Sequence, residues 1–193
     1  MTIFFVSDTH FGHENIIRYM NRPFKDSAEM DEVLIRNWNE LVTHEDTVYV
    51  LGDFALCPSA RAASILRRLS GTKILIEGNH DRGCLRDPVF RREFSEIHKL
   101  LEIDVAPEPG TKRGQKIVMC HYAMRTWNRS HRGSIQLFGH SHGTLPDDPH
   151  SLSMDVGVDS NNHYPISLKD VLRTMSKKAW KPIDYHSNKE DDK

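Results

Sequence analysis

The chain has 193 residues, 38% of them hydrophobic and 27% charged, and a formal net charge of −1 with histidine counted neutral. That length suits one domain able to bury a core without disulfides. The near-zero charge gives no electrostatic case for a nucleic-acid coat or a membrane surface. No apolar stretch approaches the roughly 20 residues of a membrane helix, and no basic segment precedes the first apolar run, so neither an anchor nor a signal peptide is expected. Cys57, Cys84 and Cys120 cannot all pair with one another and show no Cys-x-x-Cys spacing. Free thiols in a reducing, cytoplasmic setting are the simplest expectation.

The elements follow in chain order. Ile3-Phe4-Phe5-Val6 is a short apolar run that predicts a strand. Residues 27–42 carry Met30, Val33, Leu34, Trp38, Leu41 and Val42 close to a 3.6-residue period, which predicts a helix. Val48 to Leu51 predicts a second strand. Residues 59–70 predict a second helix, with Ser59 as N-cap and Gly71 as the stop. Ile74 to Ile76, Ile117 to Met119 and Ile135 to Phe138 predict further strands. Such near-continuous apolar runs suit strands buried on both faces. Residues 104–118 and 152–158 look rich in strand and turn. Ser167-Leu168-Lys169-Asp170 resembles a capping box that opens a helix through about Met175. Strands alternating with helices argue for an α/β fold with mixed sheets. One domain is expected over residues 1–185, with 186–193 as a polar tail.

The residues that follow the apolar runs carry the chemistry. They are Ser7-Asp8-Thr9-His10, Gly52-Asp53, Gly78-Asn79-His80-Asp81, His121, and Gly139-His140-Ser141-His142. In open α/β sheets, ligands collect at the carboxyl ends of strands. Asp8, His10, Asp53, Asn79, His121, His140 and His142 therefore form one candidate metal-binding edge. In extended chain, residues i and i+2 share a side, so Asp8 and His10 can face one site, as can His140 and His142. Glycine before Asp53, Asn79 and His140 lets the chain turn tightly. Imidazoles mixed with carboxylates and one amide suit Mn, Fe, Zn, Co or Ni, with Mn favoured, better than Ca or Mg. Seven ligands exceed the needs of one tetrahedral ion. Two ions about 3.5–4 Å apart, sharing a carboxylate and a hydroxide, clamp a phosphoryl group well.

The order D-x-H, G-D, G-N-H-D, H, G-H-x-H resembles the calcineurin-like metallophosphoesterase superfamily. The resemblance implies a four-layer sandwich, two mixed β-sheets flanked by helices, and hydrolysis of a phosphomonoester or phosphodiester. It implies that Asp8, His10 and His142 hold one ion, that Asn79, His121 and His140 hold the other, and that Asp53 bridges them. It implies that His80 stabilises the phosphoryl group and protonates the leaving oxygen, with Asp81 orienting His80. The run Gly52-Asp53-Phe54-Ala55-Leu56-Cys57-Pro58 lacks the second Asp and the Arg of the protein phosphatases in that superfamily, which counts against such an activity. Ser7-Asp8-Thr9-His10-Phe11-Gly12-His13-Glu14-Asn15-Ile16 is similar to the compact bacterial and phage branch.

His13 and Asn15 are candidate pocket residues, and Arg18 a weaker one. Arg125 has the forked donors that grip phosphate, and Trp127 can stack on a base or pack under its loop. The substrate expected is a phosphorylated small molecule or nucleotide. Arg125, Trp127 and Arg129 leave room for a nucleic-acid substrate, and a non-catalytic binding module on the same fold is the rival from another class. His44, His98, His150, His163 and His186 are expected at the surface or in satisfied polar positions, and Cys120 in the core. Asp155 and Asp159 are expected to flank a closing strand.

Overall fold

The computed structural model describes residues 1–106 and 114–184, so the expected polar tail at 186–193 lies outside the described residues. Strands β1 (Ile3–Val6), β2 (Thr47–Val50), β3 (Thr72–Ile76) and β4 (Glu96–His98) run parallel, and β9 (Ile166–Ser167) pairs antiparallel with β1. Their order across the sheet is β4-β3-β2-β1-β9. Helices α2 (Ser27–Leu41) and α3 (Ser59–Arg68) make the crossovers that parallel pairing requires. The second sheet, in order, contains β5 (Leu100–Val105), β6 (Gln115–Cys120), β7 (Ile135–Phe138) and β8 (Ser153–Asp155). Here β5 is antiparallel to β6, while β6, β7 and β8 are parallel.

The period of two divides the first sheet's side chains between two cores. Phe4, Val6, Val48, Val50 and Leu75 pack with Met30, Leu34, Trp38 and Leu66 of the helices. Short helices α1 (Glu14–Tyr19) and α4 (Pro88–Arg91) add Ile16, Ile17 and Phe90 to that layer. Phe5, Tyr49, Leu51, Ile74 and Ile76 instead meet Ile117, Met119, Ile135 and Leu137 of the second sheet. Two mixed sheets thus pack face to face, as the α/β sandwich expectation required. Helix α5 (Leu168–Met175) joins the inter-sheet core through Val171 and Met175. The other face of the second sheet buries Gln136, which binds backbone groups of Tyr122 and Met124 and so anchors the loop that follows His121.

Both helix boundaries expected at 59–70 need correction. Pro58 occupies the N-cap, and α3 ends at Arg68. Ser59 is already the first helical residue, and its hydroxyl donates to Asp87 Oδ2 at 2.5 Å instead of capping. Ser167 does cap α5, accepting from Asp170 N at 3.2 Å.

The site is made where the two sheets meet. Val6 pairs with Val50, and Phe138 with Asp155, so each sheet presents its carboxyl ends along one edge. Ser7 bridges to Gly157, with Ser7 N donating to Val156 O and Val158 N donating to Ser7 O. That bridge draws the two edges together.

Candidate metal centre

Each apolar strand stops where a ligand-type residue begins, and the backbone then enters an unusual conformation. Asp8, His10, Asp53, His140 and His142 all have positive φ, between 49° and 67°. The expectation that Asp8 and His10, or His140 and His142, share a side through extended backbone is therefore wrong in mechanism. These are left-handed turns, which cost about 1–3 kcal/mol each and recur at functional sites. The consequence differs between the two pairs. Asp8 and His10 stay in one cluster, whereas His140 and His142 part into two.

One cluster is Asp8, His10 and His142, and the other is Asp53, His121 and His140, each with donor atoms within 4.8 Å of one another. Asn79 Oδ1 lies 3.0 Å from His121 Nε2, which adds it to the second. Asp53 Oδ2 is 3.7 Å from His10 Nε2 and 3.5 Å from His121 Nε2, so this carboxylate faces both clusters. Close packing of backbone brings them together. A Cβ at Gly52, where φ is +88°, would run into Gly78 and the His121 ring. One at Gly139 would run into Ser7 Oγ and Asp8 Oδ2.

The donor set fits a cation. Asp8 Oδ1 and both ring nitrogens of His10 are buried with no hydrogen-bond partner among the described residues. Buried polar atoms are rarely left so. Burial pushes the Asp8 carboxyl up to about 6 and pushes the His10 imidazole down to about 3, so this pocket stocks a neutral imidazole and a reluctant anion. Burial would raise Asp53 too, but the His121 hydrogen bond and the His80 N–H outweigh it and hold the carboxyl at about 2. Burial would lower His121, and the Asp53 hydrogen bond and charge reverse that. Neutral imidazole lone pairs beside ionised carboxylates are what a divalent transition metal binds.

His80 stands at the mouth. Its backbone N–H donates to Asp53 Oδ1 at 2.8 Å, its side chain is 44% exposed, and Nε2 is 4.0 Å from Asp53 Oδ2. Asp81 does not orient it. The Asp81 carboxylate is fully buried and accepts from the backbone N–H groups of Asp53 at 2.9 Å, Phe54 at 2.9 Å and Gly78 at 2.8 Å. Residues adjacent in sequence here point apart, so Asp81 pins the turns that carry Asp53 and Asn79.

His13 lies beside the first cluster, its ring centroid 5.4 Å from that of His10. Asn15 is exposed on α1 and accepts from Arg18 Nη2 at 2.7 Å. A cleft of about 420 Å³ lies over His140 and His142 and is bounded by Met20, Leu145 and Pro146. Leu145 and Pro146 also wall a larger chamber of about 700 Å³. Arg125 and Trp127 line that chamber and do not reach the cleft. Arg125 is exposed, while Trp127 is buried, donating its indole N–H to Ser134 O at 3.1 Å. Cys120 is only half-buried at the end of β6.

Two residues of the site were not expected. Asp159 lies in a 3-10 turn, not beside a strand, and its Oδ2 is 2.7 Å from His142 Nδ1. Arg22 is buried and forks onto the same carboxylate.

Comparison with known proteins agrees with this architecture. Residues 1–152 match the calcineurin-like phosphoesterase superfamily domain. An uncharacterised protein of Methanocaldococcus jannaschii is 33% identical over 182 residues, covering 91% of this chain and 92% of that protein. The gene 66 protein of Mycobacterium phage L5 is 27% identical over 179 residues, covering 81% of this chain and 86% of that protein. The crystal structure of a protein of unknown function from Aquifex aeolicus superposes with a TM-score of 0.69 at 26% identity, covering 90% of this chain and 98% of that one. The two-sheet sandwich and its edge of His, Asp and Asn define a metal-dependent phosphoesterase. The chain belongs to the calcineurin-like phosphoesterase superfamily and is a hydrolase of phosphoric esters.

Proposed function

We propose that the chain hydrolyses a phosphomonoester or phosphodiester at a centre of two divalent transition-metal ions. The observation that carries this reading is the pair of three-residue clusters with Asp53 facing both. In it, Asp8, His10 and His142 would hold one ion, Asn79, His121 and His140 the other, and Asp53 both. When bound, the ions would polarise a phosphoryl oxygen and lower the pKa of a coordinated water. Donors of imidazole and oxygen without thiolate suit Mn, Fe, Zn, Co or Ni, and Mn is the metal favoured among them.

The remaining steps fall to the chain's own side chains. His80, exposed and 4.0 Å from Asp53 Oδ2, would donate a proton to the leaving oxygen or hydrogen-bond the phosphoryl group. Asp81 fixes the Asp53 and Gly78 backbone so that Asp53 and Asn79 keep their positions. His13 borders the same mouth. The substrate would be a phosphorylated small molecule or a nucleotide, its bulk lying along Leu145 and Pro146 toward the chamber that Arg125 and Trp127 line. A nucleic-acid substrate is the second reading, favoured by the exposed Arg125 and Arg129 on the loop after His121. It requires binding that weakens steeply with salt. Three free cysteines accord with a cytoplasmic setting.

The test is Asp53→Asn, assayed against chromogenic mono- and diesters with added Mn²⁺. Turnover should fall on the order of 10³-fold or more, because the one carboxylate facing both ions has gone, and bound metal should fall with it. Full activity in this variant would sink the reading.

A further inference from the structure

We infer that Arg22 and Asp159 act as a positioning pair that sets His142 for metal and makes the Asp8–His10–His142 position the tighter of the two. The inference rests on the two-ion reading above and extends it to residues outside the ligand set.

Arg22 sits in the loop after α1 with 5% of its surface exposed. Its Nε donates to Asp159 Oδ1 and its Nη2 to Asp159 Oδ2, both at 2.8 Å, which is the bidentate fork that fixes a carboxylate in plane. The same guanidinium donates to Asp8 O at 2.8 Å and to Thr9 O at 3.1 Å. Arg22 therefore clamps the left-handed Asp8 to His10 turn and the Asp159 carboxylate at once. Asp159 Oδ2 in turn meets His142 Nδ1 at 2.7 Å. An imidazole that gives its Nδ1 proton to this carboxylate keeps its lone pair on Nε2, the atom 3.9 Å from Asp8 Oδ1. Carboxylates placed in this way fix the tautomer of a ligating histidine and raise its basicity.

Among the described residues no carboxylate backs a ligating imidazole of the second cluster in this way; Asp81 there holds backbone N–H groups, not a ring nitrogen. His121 gives Nδ1 to the neutral Leu51 carbonyl at 2.7 Å. Asn79 and His140 are exposed to solvent. A carboxylate behind the His142 imidazole, against a neutral carbonyl behind that of His121, predicts unequal affinity.

The experiment titrates metal-stripped full chain with Mn²⁺ and counts bound ions by elemental analysis, with dissociation constants from chelator competition. Asp159→Asn alone strands a buried guanidinium, which is strongly destabilising. Arg22→Gln combined with Asp159→Asn removes both charges and serves as the folded variant, checked by the melting temperature of the metal-free protein. The parent should bind two ions, one tightly. In the double variant the tight constant should weaken about 10- to 100-fold, while the weaker one stays within about threefold. Arg22→Lys, which keeps the charge and loses the fork, should fall between the two. Unchanged constants in the double variant, or equal loss of both ions, would overturn the inference alone. A parent that binds at most one ion would overturn the two-ion reading and this inference with it.

Discussion

The two halves of the metal centre use the same residue types on different supports. The Asp8–His10–His142 half is enclosed: Asp8 and His10 are buried, and His142 leans on the Asp159–Arg22 pair. The Asp53–Asn79–His121–His140 half is open: Asn79 and His140 face solvent, and only Asp53 and His121 are buried. The enclosed half ties the start of the chain to its last third, since Arg22 and Asp159 lie 137 positions apart. His80, 44% exposed, borders both halves, its Nε2 4.0 Å from Asp53 Oδ2 and its ring centroid 5.5 Å from that of His10. On the proposed two-ion reading, the enclosed side would hold its ion more tightly than the open one.

Removing one imidazole from each half tests that division. His10→Ala should empty the enclosed half and abolish turnover, because it removes a buried ring whose two nitrogens have no hydrogen-bond partner among the described residues. His140→Ala, on the open rim, removes one ligand of its half, so metal there should weaken by more than the roughly 10- to 100-fold of a lost supporting contact, and excess metal should recover part of its turnover by mass action. Equal behaviour of the two variants would break the comparison. His80→Ala should leave both halves loaded while the rate drops about 10²- to 10⁴-fold. The loss should be steepest for esters with poor leaving groups, read as kcat across a leaving-group series alongside metal content. Loss of metal in that variant would move His80 into the ligand set.

Much of this was legible in the residues. Apolar runs at Ile3 to Val6 and Ile135 to Phe138 became strands with those bounds, and the ligand-type residues follow their ends. The five blocks are local in sequence, so a linear reading finds them. What it missed is non-local or conformational. Asp159 touches His142 and Arg22, and no spacing rule links an arginine after the first helix to an acid near the chain's end. Asp159 looked like an ordinary residue near a strand because its partners were invisible. The left-handed backbone at five ligand positions was hidden too, since Asp and His enter it more often than other side-chain-bearing residues yet still only in a small minority of cases, so residue type alone does not announce it. His140 and His142 therefore looked like a pair on one face, and the turn between them sends each to its own half.

Asp81 gives the last contrast, because it serves both halves at once. Adjacent to His80 in sequence, it suggested an orienting partner, yet its carboxylate spends both oxygens on three backbone N–H groups. Oδ2 takes Asp53 and Gly78, and Oδ1 takes Phe54. Burial pushes this carboxyl's pKa up even against those donors. Asparagine has nearly the same shape but one acceptor oxygen. In Asp81→Asn the amide NH₂ must face at least one of the three donors, leaving a buried N–H unsatisfied at about 1–3 kcal/mol. Denaturant unfolding of the metal-free variant should show a loss of about 2 kcal/mol on that basis. Metal titration should show both ions weakened together, since the turns bearing Asp53 and Asn79 loosen as one. That outcome differs from the single ion expected to weaken without Arg22 and Asp159, and from the none expected to weaken without His80. Unchanged stability with a selective loss on poor leaving groups would instead return Asp81 to the role of His80's partner.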